Sequence, residues 1–270
     1  MSAFLLGHEP LIRLAGFAGV FAVMALWEMA APRRVLARGR RRWLANLSLS
    51  ATGALLLRLA LPALAVGTAI WAQDAHIGFF NRLEVPPIPA TLLSIVALDL
   101  LIYGQHVAFH KVGIFWRLHK VHHADPDIDV TTGVRFHPLE ILVSMIVKMA
   151  AVAALGVPPV AVLLFEVLLN GTSMFNHGNI RLSETADRAL RRFIVTPDMH
   201  RVHHSVERDE HDSNFGFNLS LWDRLFGTYR AAPRDGQGMR IGLADYADIK
   251  PTQFLWSLGL PFFKLKETAS

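Results

Sequence analysis

Eight histidines fall into three patterns whose spacing suits metal ligation. His106-x-x-x-His110 (QHVAFH) puts two rings one helical turn apart on one face, so both can address one metal region. In His119-x-x-His122-His123 (HKVHH), a helix would set His119 beside both partners, while the adjacent rings of His122 and His123 diverge by about 100°. Diverging neighbours serve two adjacent ions better than one. His200-x-x-His203-His204 (TPDMHRVHH) repeats this pattern roughly eighty residues later. A lone pair of histidines is weak evidence. Two copies of one five-residue pattern within sequence of ordinary complexity are not how a histidine-rich storage tract is built.

The chain has 13 histidines, 3 tyrosines and no cysteine. Without thiolates it cannot form a disulfide, hold an iron–sulfur cluster, ligate haem through sulfur or build a cysteine-rich zinc site, so imidazole must do any soft-metal work. Many imidazoles with few carboxylates suit iron, zinc or copper, whereas magnesium and calcium prefer oxygen. Ligand type alone does not choose among the three. Zinc has no redox chemistry, so a zinc site would indicate a histidine-ligated membrane hydrolase of lipid esters or phosphates. A non-catalytic metal carrier would need polar residues lining a path across the bilayer, for which Arg58 and Asp99 are too few.

Metal-bound histidines usually donate their second ring nitrogen to a carboxylate or carbonyl, and Asp99, Glu140, Asp198 and Asn214 are the candidates. Asp99 lies seven residues before His106 on the same helical face, with a polar contact to Arg58 as its alternative role. His137 precedes Pro138 at an expected helix start and reads equally as a ligand or as a ring satisfied by backbone or Glu140. His211 is expected to support a loop. His8 and His76 lie outside the clusters.

The elements that must position these rings are apolar. The 270 residues are 52% hydrophobic and 18% charged, with mean hydropathy +0.33, which points to a membrane protein. Leu11–Ala31 is long enough to span, and it reads as an uncleaved signal-anchor. Trp43–Ala72 is a second span despite Arg58 and Pro62, and residues 73–89 are an interfacial loop. Thr91–Gln105 begins a third. Leu139–Leu155 and Val160–Phe175, separated by GVPP, form a hairpin that dips into the membrane and returns. The net charge of +5 owes much to Arg33, Arg34, Arg38, Arg40, Arg41 and Arg42, a juxtamembrane run that reads as a topology signal and not as a nucleic-acid patch. With that run in the cytoplasm, the third span and the hairpin deliver His106, His110 and His177 to the same side.

QHVAFH, HKVHH, RFHPLE, FNHGN, TPDMHRVHH and NFGFNLSLWDRLFGTY together resemble the fatty acid hydroxylase superfamily, whose bacterial branch is sterol desaturase-like. The likeness covers about residues 91–230. It implies a membrane di-metal centre, normally two iron ions, that uses dioxygen to hydroxylate or desaturate lipid C–H bonds. Carried over motif by motif, His106, His110, His119, His122, His123, His200, His203 and His204 would be ligands. His177 in FNHGN matches a further family histidine; where some relatives have another four residues on, this chain has Arg181.

The expectation is therefore an all-α, multi-pass membrane bundle with a cytoplasmic histidine-rich cap, one unit over residues 1–270. Residues 1–90 would carry the first spans, 91–230 the catalytic region and 231–270 a tail. The bacterial inner membrane is the expected location. Substrate would enter through a slot between the third span and the hairpin, near Phe165, Met174 and Phe175. No nucleotide, haem or iron–sulfur motif is present, so electrons must come from a separate ferredoxin or cytochrome with its reductase.

Overall fold

In the computed structural model, which describes residues 2–61, 63–246 and 250–263, most of the long helices begin at proline. There proline's missing N–H costs nothing and its fixed φ suits the first turn. Helix α1 (Ser2–Gly7) leads into α2 (Glu9–Ala30), which has Pro10 in its first turn. After the arginine run come α3 (Trp43–Ala60), α4 (Leu64–Asp74) and the single turn α5 (Phe79–Arg82). Helix α6 (Pro87–Lys111) is followed at once by α7 (Gly113–His123). Helices α8 (Pro138–Leu155) and α9 (Pro159–Asn176) are separated by three residues. Short helices α10 (Glu184–Leu190), α11 (Pro197–His203), α12 (Arg208–His211), α13 (Leu221–Leu225) and α14 (Phe254–Gly259) complete the order. The described residues contain isolated β-bridges, such as Pro32 with Ile180, and no strand.

Among the described residues, five helical stretches are long and apolar enough to cross a membrane: Glu9–Ala30, Gly39–Arg82, Pro87–Lys111, Pro138–Leu155 and Pro159–Asn176. Two expectations change in detail. The second span is two helices, with α3 ending at Ala60 and α4 starting at Leu64; Pro62, outside the described residues, has no N–H to continue the ladder. Each arm of the α8–α9 hairpin is 18 residues, about 27 Å, and thus long enough to cross by itself. The corner between them is Gly156 in the left-handed region, followed by Pro158.

Helix α9 packs on α2, α4 and α6, while α8 packs on α3 and α4. Their shared core includes Ala65, Ala69, Leu98, Val152, Val162 and Phe165; the alanines of α4 allow close helix approach. Leu11, Leu14, Val23 and Leu26 of α2 and Leu92 and Leu93 of α6 face outward, as a lipid-facing surface requires.

All histidine segments gather at one end of this bundle, and the arginine run lies at that end too. Arg33 pairs with Asp198 at 3.0 Å. Arg42, read from sequence as part of a topology signal, is fully buried: it pairs with Asp125 at 2.5 Å, with Asp127 at 3.5 Å and with Asp129. Asn46 donates to Asp125 (3.0 Å) and Thr131 (2.9 Å) and accepts from the Arg135 guanidinium (2.5 Å). This ionic knot pins the loop between α7 and α8.

Candidate metal centre

Among the described residues, nine buried histidines form two groups, His106, His110, His119, His123 and His203 in one, His122, His177, His200 and His204 in the other. Within each group one nitrogen per ring lies within 4.8 Å of all the others. Helical spacing explains the division. Helix α7 gives His119 and His123, one turn apart, to the first group, while His122 points to the second; the α11 segment gives His200 and His204 to the second and His203 to the first. Adjacent rings therefore serve different groups. The groups abut, with His123 stacked on His204 at 4.6 Å between ring centroids.

Hydrogen bonds to pure acceptors fix where the protons sit. Nδ1 of His106 donates to the Phe215 carbonyl (2.7 Å), of His203 to Ser213 (2.7 Å), of His177 to Ser173 (2.7 Å) and of His122 to Arg135 (3.1 Å). His119 Nδ1 donates to the Glu140 carboxylate at 2.7 Å. A neutral imidazole has one proton, so a neutral ring with that proton at Nδ1 presents a bare Nε2 lone pair. Those lone pairs meet: His106 faces His119 at 3.1 Å, and His177 faces His122 at 3.0 Å and His200 at 3.1 Å. With the proton of both rings held at Nδ1, the contact between His177 and His122 cannot be a hydrogen bond. Burial holds His122, His123, His200, His203 and His204 well below the usual imidazole value and pushes His177 down to about 4, so charge on the rings does not resolve the contacts around His177 either. Lone pairs converging in a dry interior are what a cation accommodates, and the donor set fits a metal ion in each group.

The expected supporting residues divide. Glu140 does bind a ring of the cluster, that of His119. Asp99 instead accepts from Asn218 (2.7 Å), the Leu219 N–H (3.2 Å) and Trp222 (2.8 Å); it touches neither Arg58 nor a clustered histidine and fastens the C-terminal segment to α6. Asp198 binds Arg33 and Arg201. Asn214 bridges Met199 and Arg230. His137 caps α8, accepting from the Leu139 N–H and donating to the Leu258 carbonyl, and lies in neither group. His211 stacks on Trp116.

The sequence reading missed the main-chain acceptors and Asp212, whose Oδ1 is 3.4 Å from His110 Nδ1. Asp212 lies in the EHDSNFG stretch already singled out for His211, which was the available signal. Gly133 was missed too: a Cβ there would stand 2.6 Å from the Ser173 carbonyl, the acceptor for His177, so only glycine lets the loop approach α9. Glu140→Gln keeps an acceptor for His119 but removes its charge, and it is expected to weaken metal binding 10- to 100-fold in a competition titration against a chelator.

A cavity of about 440 Å³ reaches His106, His119 and Glu140. Phe17, Leu57, Phe109, Phe136, Met145 and Leu169 line it. It lies among α2, α3, α6, α8 and α9, and none of Phe165, Met174 and Phe175 borders it; Phe165 and Met174 are core residues.

A family model described as Fatty acid hydroxylase matches residues 91–228. The chain is 27% identical over 176 residues to the ornithine lipid hydroxylase OlsE of Rhizobium tropici, covering 65% of this chain and 49% of that protein. It is 30% identical over 145 residues to the alkylglycerol monooxygenase of Homo sapiens (51% and 30% of the two chains). It is 32% identical over 150 residues to a very-long-chain aldehyde decarbonylase of Oryza sativa subsp. japonica (53% and 24%). The chain thus spans about half the length of the first relative and less of the others. No solved structure matches it significantly. With the matched region covering every clustered histidine and just over half of the chain, the protein belongs to the fatty acid hydroxylase family.

Proposed function

We propose that the chain is a membrane lipid oxygenase whose nine clustered histidines hold two metal ions, iron in the working enzyme, and which hydroxylates or desaturates a lipid C–H bond with dioxygen. The observation that carries this reading is the convergence of proton-free ring nitrogens beside a largely apolar cavity. Bound iron supplies redox power sufficient for an unactivated C–H bond, which zinc lacks. The chain's own residues do the rest. Glu140 and the four carbonyls keep five rings in one tautomer and one orientation. The cavity brings an alkyl chain to His106 and His119, and Phe109, Phe136 and Phe217 keep bulk water from that end.

Electrons come from a separate ferredoxin or cytochrome with its reductase, docking at the arginine-rich end. That end faces the cytoplasm by the positive-inside rule. The substrate is a lipid, as the relatives' names indicate for those proteins.

Lipid mass spectrometry of aerobic, iron-replete cells carrying the intact chain or His203→Ala tests this. One hydroxylated or unsaturated lipid should vanish in the variant, and unchanged profiles would count against the proposal. Metal-stripped protein should regain dioxygen consumption with ferrous iron and not with zinc. Zinc-restored lipid hydrolysis would mark a hydrolase instead.

A further inference from the structure

The cavity is apolar over much of its wall but ends in charge. Glu140, Ser144 and Lys148 follow one another at helical spacing along α8, all lining it. Lys148 binds Glu166 at 2.7 Å, Glu166 binds Arg13 at 2.5 Å, and Arg13 binds Glu9 at 2.8 Å, a balanced set of two cations and two anions. Arg58 also lines the cavity, and it has no ion-pair partner among the described residues. One positive charge is left over. Arg58 and Asp99 are the polar residues that the sequence offers for a path across the bilayer. In the structure Asp99 is engaged elsewhere, while Glu9, Arg13, Lys148 and Glu166 join Arg58.

Helix geometry sets the depth of this charged pole. Lys148 lies eight residues beyond Glu140, the partner of His119, which is about 12 Å along the axis. Arg13 lies fifteen residues before Glu28, whose carboxylate holds Asn179 beside the second histidine group; that is about 22 Å. Both rulers place the pole in the half of the bundle away from the histidines. A guanidinium within a spanning segment is costly unless it meets water or an anion, and such a residue marks a site by default.

The geometry points to an anionic amphiphile as substrate, a carboxylate or phosphate held at Arg58 with its alkyl chain reaching up to the histidines. The lipid's head lies away from the histidine end. This rests on the oxygenase reading only for what happens at the chain's far end. An extended chain advances about 1.2 Å per bond, taking roughly 3.5 Å for three bonds, so a head group at the depth of Lys148 stands about ten bonds from the oxidised carbon. A neutral hydrocarbon or sterol would offer no counter-charge to Arg58, whose side chain is exposed near the end of α3.

The test is equilibrium binding of radiolabelled hexadecanoate, hexadecyl phosphate and hexadecanol to the full-length, iron-loaded chain in detergent micelles without oxygen. At least one anion should bind tenfold or more tightly than the alcohol. Arg58→Gln should bring that ratio within twofold without changing hexadecanol binding, and Arg58→Lys should preserve it. The stronger anion identifies the head group. Equal binding of all three probes, or a preference that survives Arg58→Gln, overturns the inference. Admitting oxygen and reductant then locates the product: oxidation near the middle of the chain agrees, and oxidation beside the head group refutes the placement. An Arg58-dependent preference with no oxidised product would sink the oxygenase reading alone, whereas oxidation without that preference would sink this inference alone.

Discussion

His177→Ala is expected to halve the bound metal and to reduce lipid oxidation by more than 100-fold. His177 is the hub of the smaller group, its Nε2 facing both His122 and His200. Without it three rings remain, and the two contacts that bring the lone pairs together are gone. Loss of a supporting partner around a metal typically costs 10- to 100-fold, so loss of a ring at the centre should exceed that. Two controls separate this from general damage to the chain. His137 caps a helix outside both groups and His211 stacks on Trp116, so His211→Ala should keep both ions, and His137→Asn, which can still cap, should as well. Elemental analysis of purified protein gives the ion count, and product formation in the same preparations gives the activity. Two ions and normal turnover in His177→Ala would refute the assignment of the second group.

Arg42→Met should produce the largest loss of stability, about 3–5 kcal/mol, by stranding buried carboxylates. Asp125 and Asp129 are fully buried, and Arg42 is their shared counter-ion. Asp125 is held below the usual carboxylate range, because the Arg42 and Arg135 charges outweigh the burial that alone would raise it. The neighbouring Asp127 keeps backbone donors from Ala37 and Arg38. Asp129→Asn leaves Arg42 two other carboxylates and should cost less. Chemical denaturation in detergent orders the two variants, and a milder effect from Arg42→Met than from Asp129→Asn would show that the knot is not held by its arginine. Because Arg135 supplies the carbonyl that binds His122, the same variant should also loosen metal binding.

The bundle and its histidine clusters were legible in the sequence because both follow from short periodicities. Runs of about twenty apolar residues mark spans, and i,i+3 and i,i+4 spacings mark shared helical faces, so the divergence of His122 from His123 anticipated two neighbouring groups. What escaped depends on contacts between distant segments. Asp99 looked like a partner for His106 because it shares that helical face, but its carboxylate turns to Trp222, some 120 residues away in sequence. Arg42 looked like one more topology charge, since nothing local tells a snorkelling arginine from one enclosed by three aspartates. The cavity was legible only in part for the same reason: its walls come from α2 and α3 as well as from the expected α6 and hairpin.

Four of the five histidines with a fixed proton owe it to peptide oxygens, at Arg135, Ser173, Ser213 and Phe215, and one owes it to a side chain, Glu140. Point substitution cannot delete a peptide oxygen. The protonation pattern of these four rings is therefore insulated from most single-codon drift at the residues supplying it, provided the backbone holds its path. Length changes are another matter: adding or removing one residue between Ser213 and Phe215 would shift the two oxygens relative to each other, so that both could not keep their rings. Over evolutionary time, the stretch from 213 to 215 should tolerate changes of letter far better than changes of count.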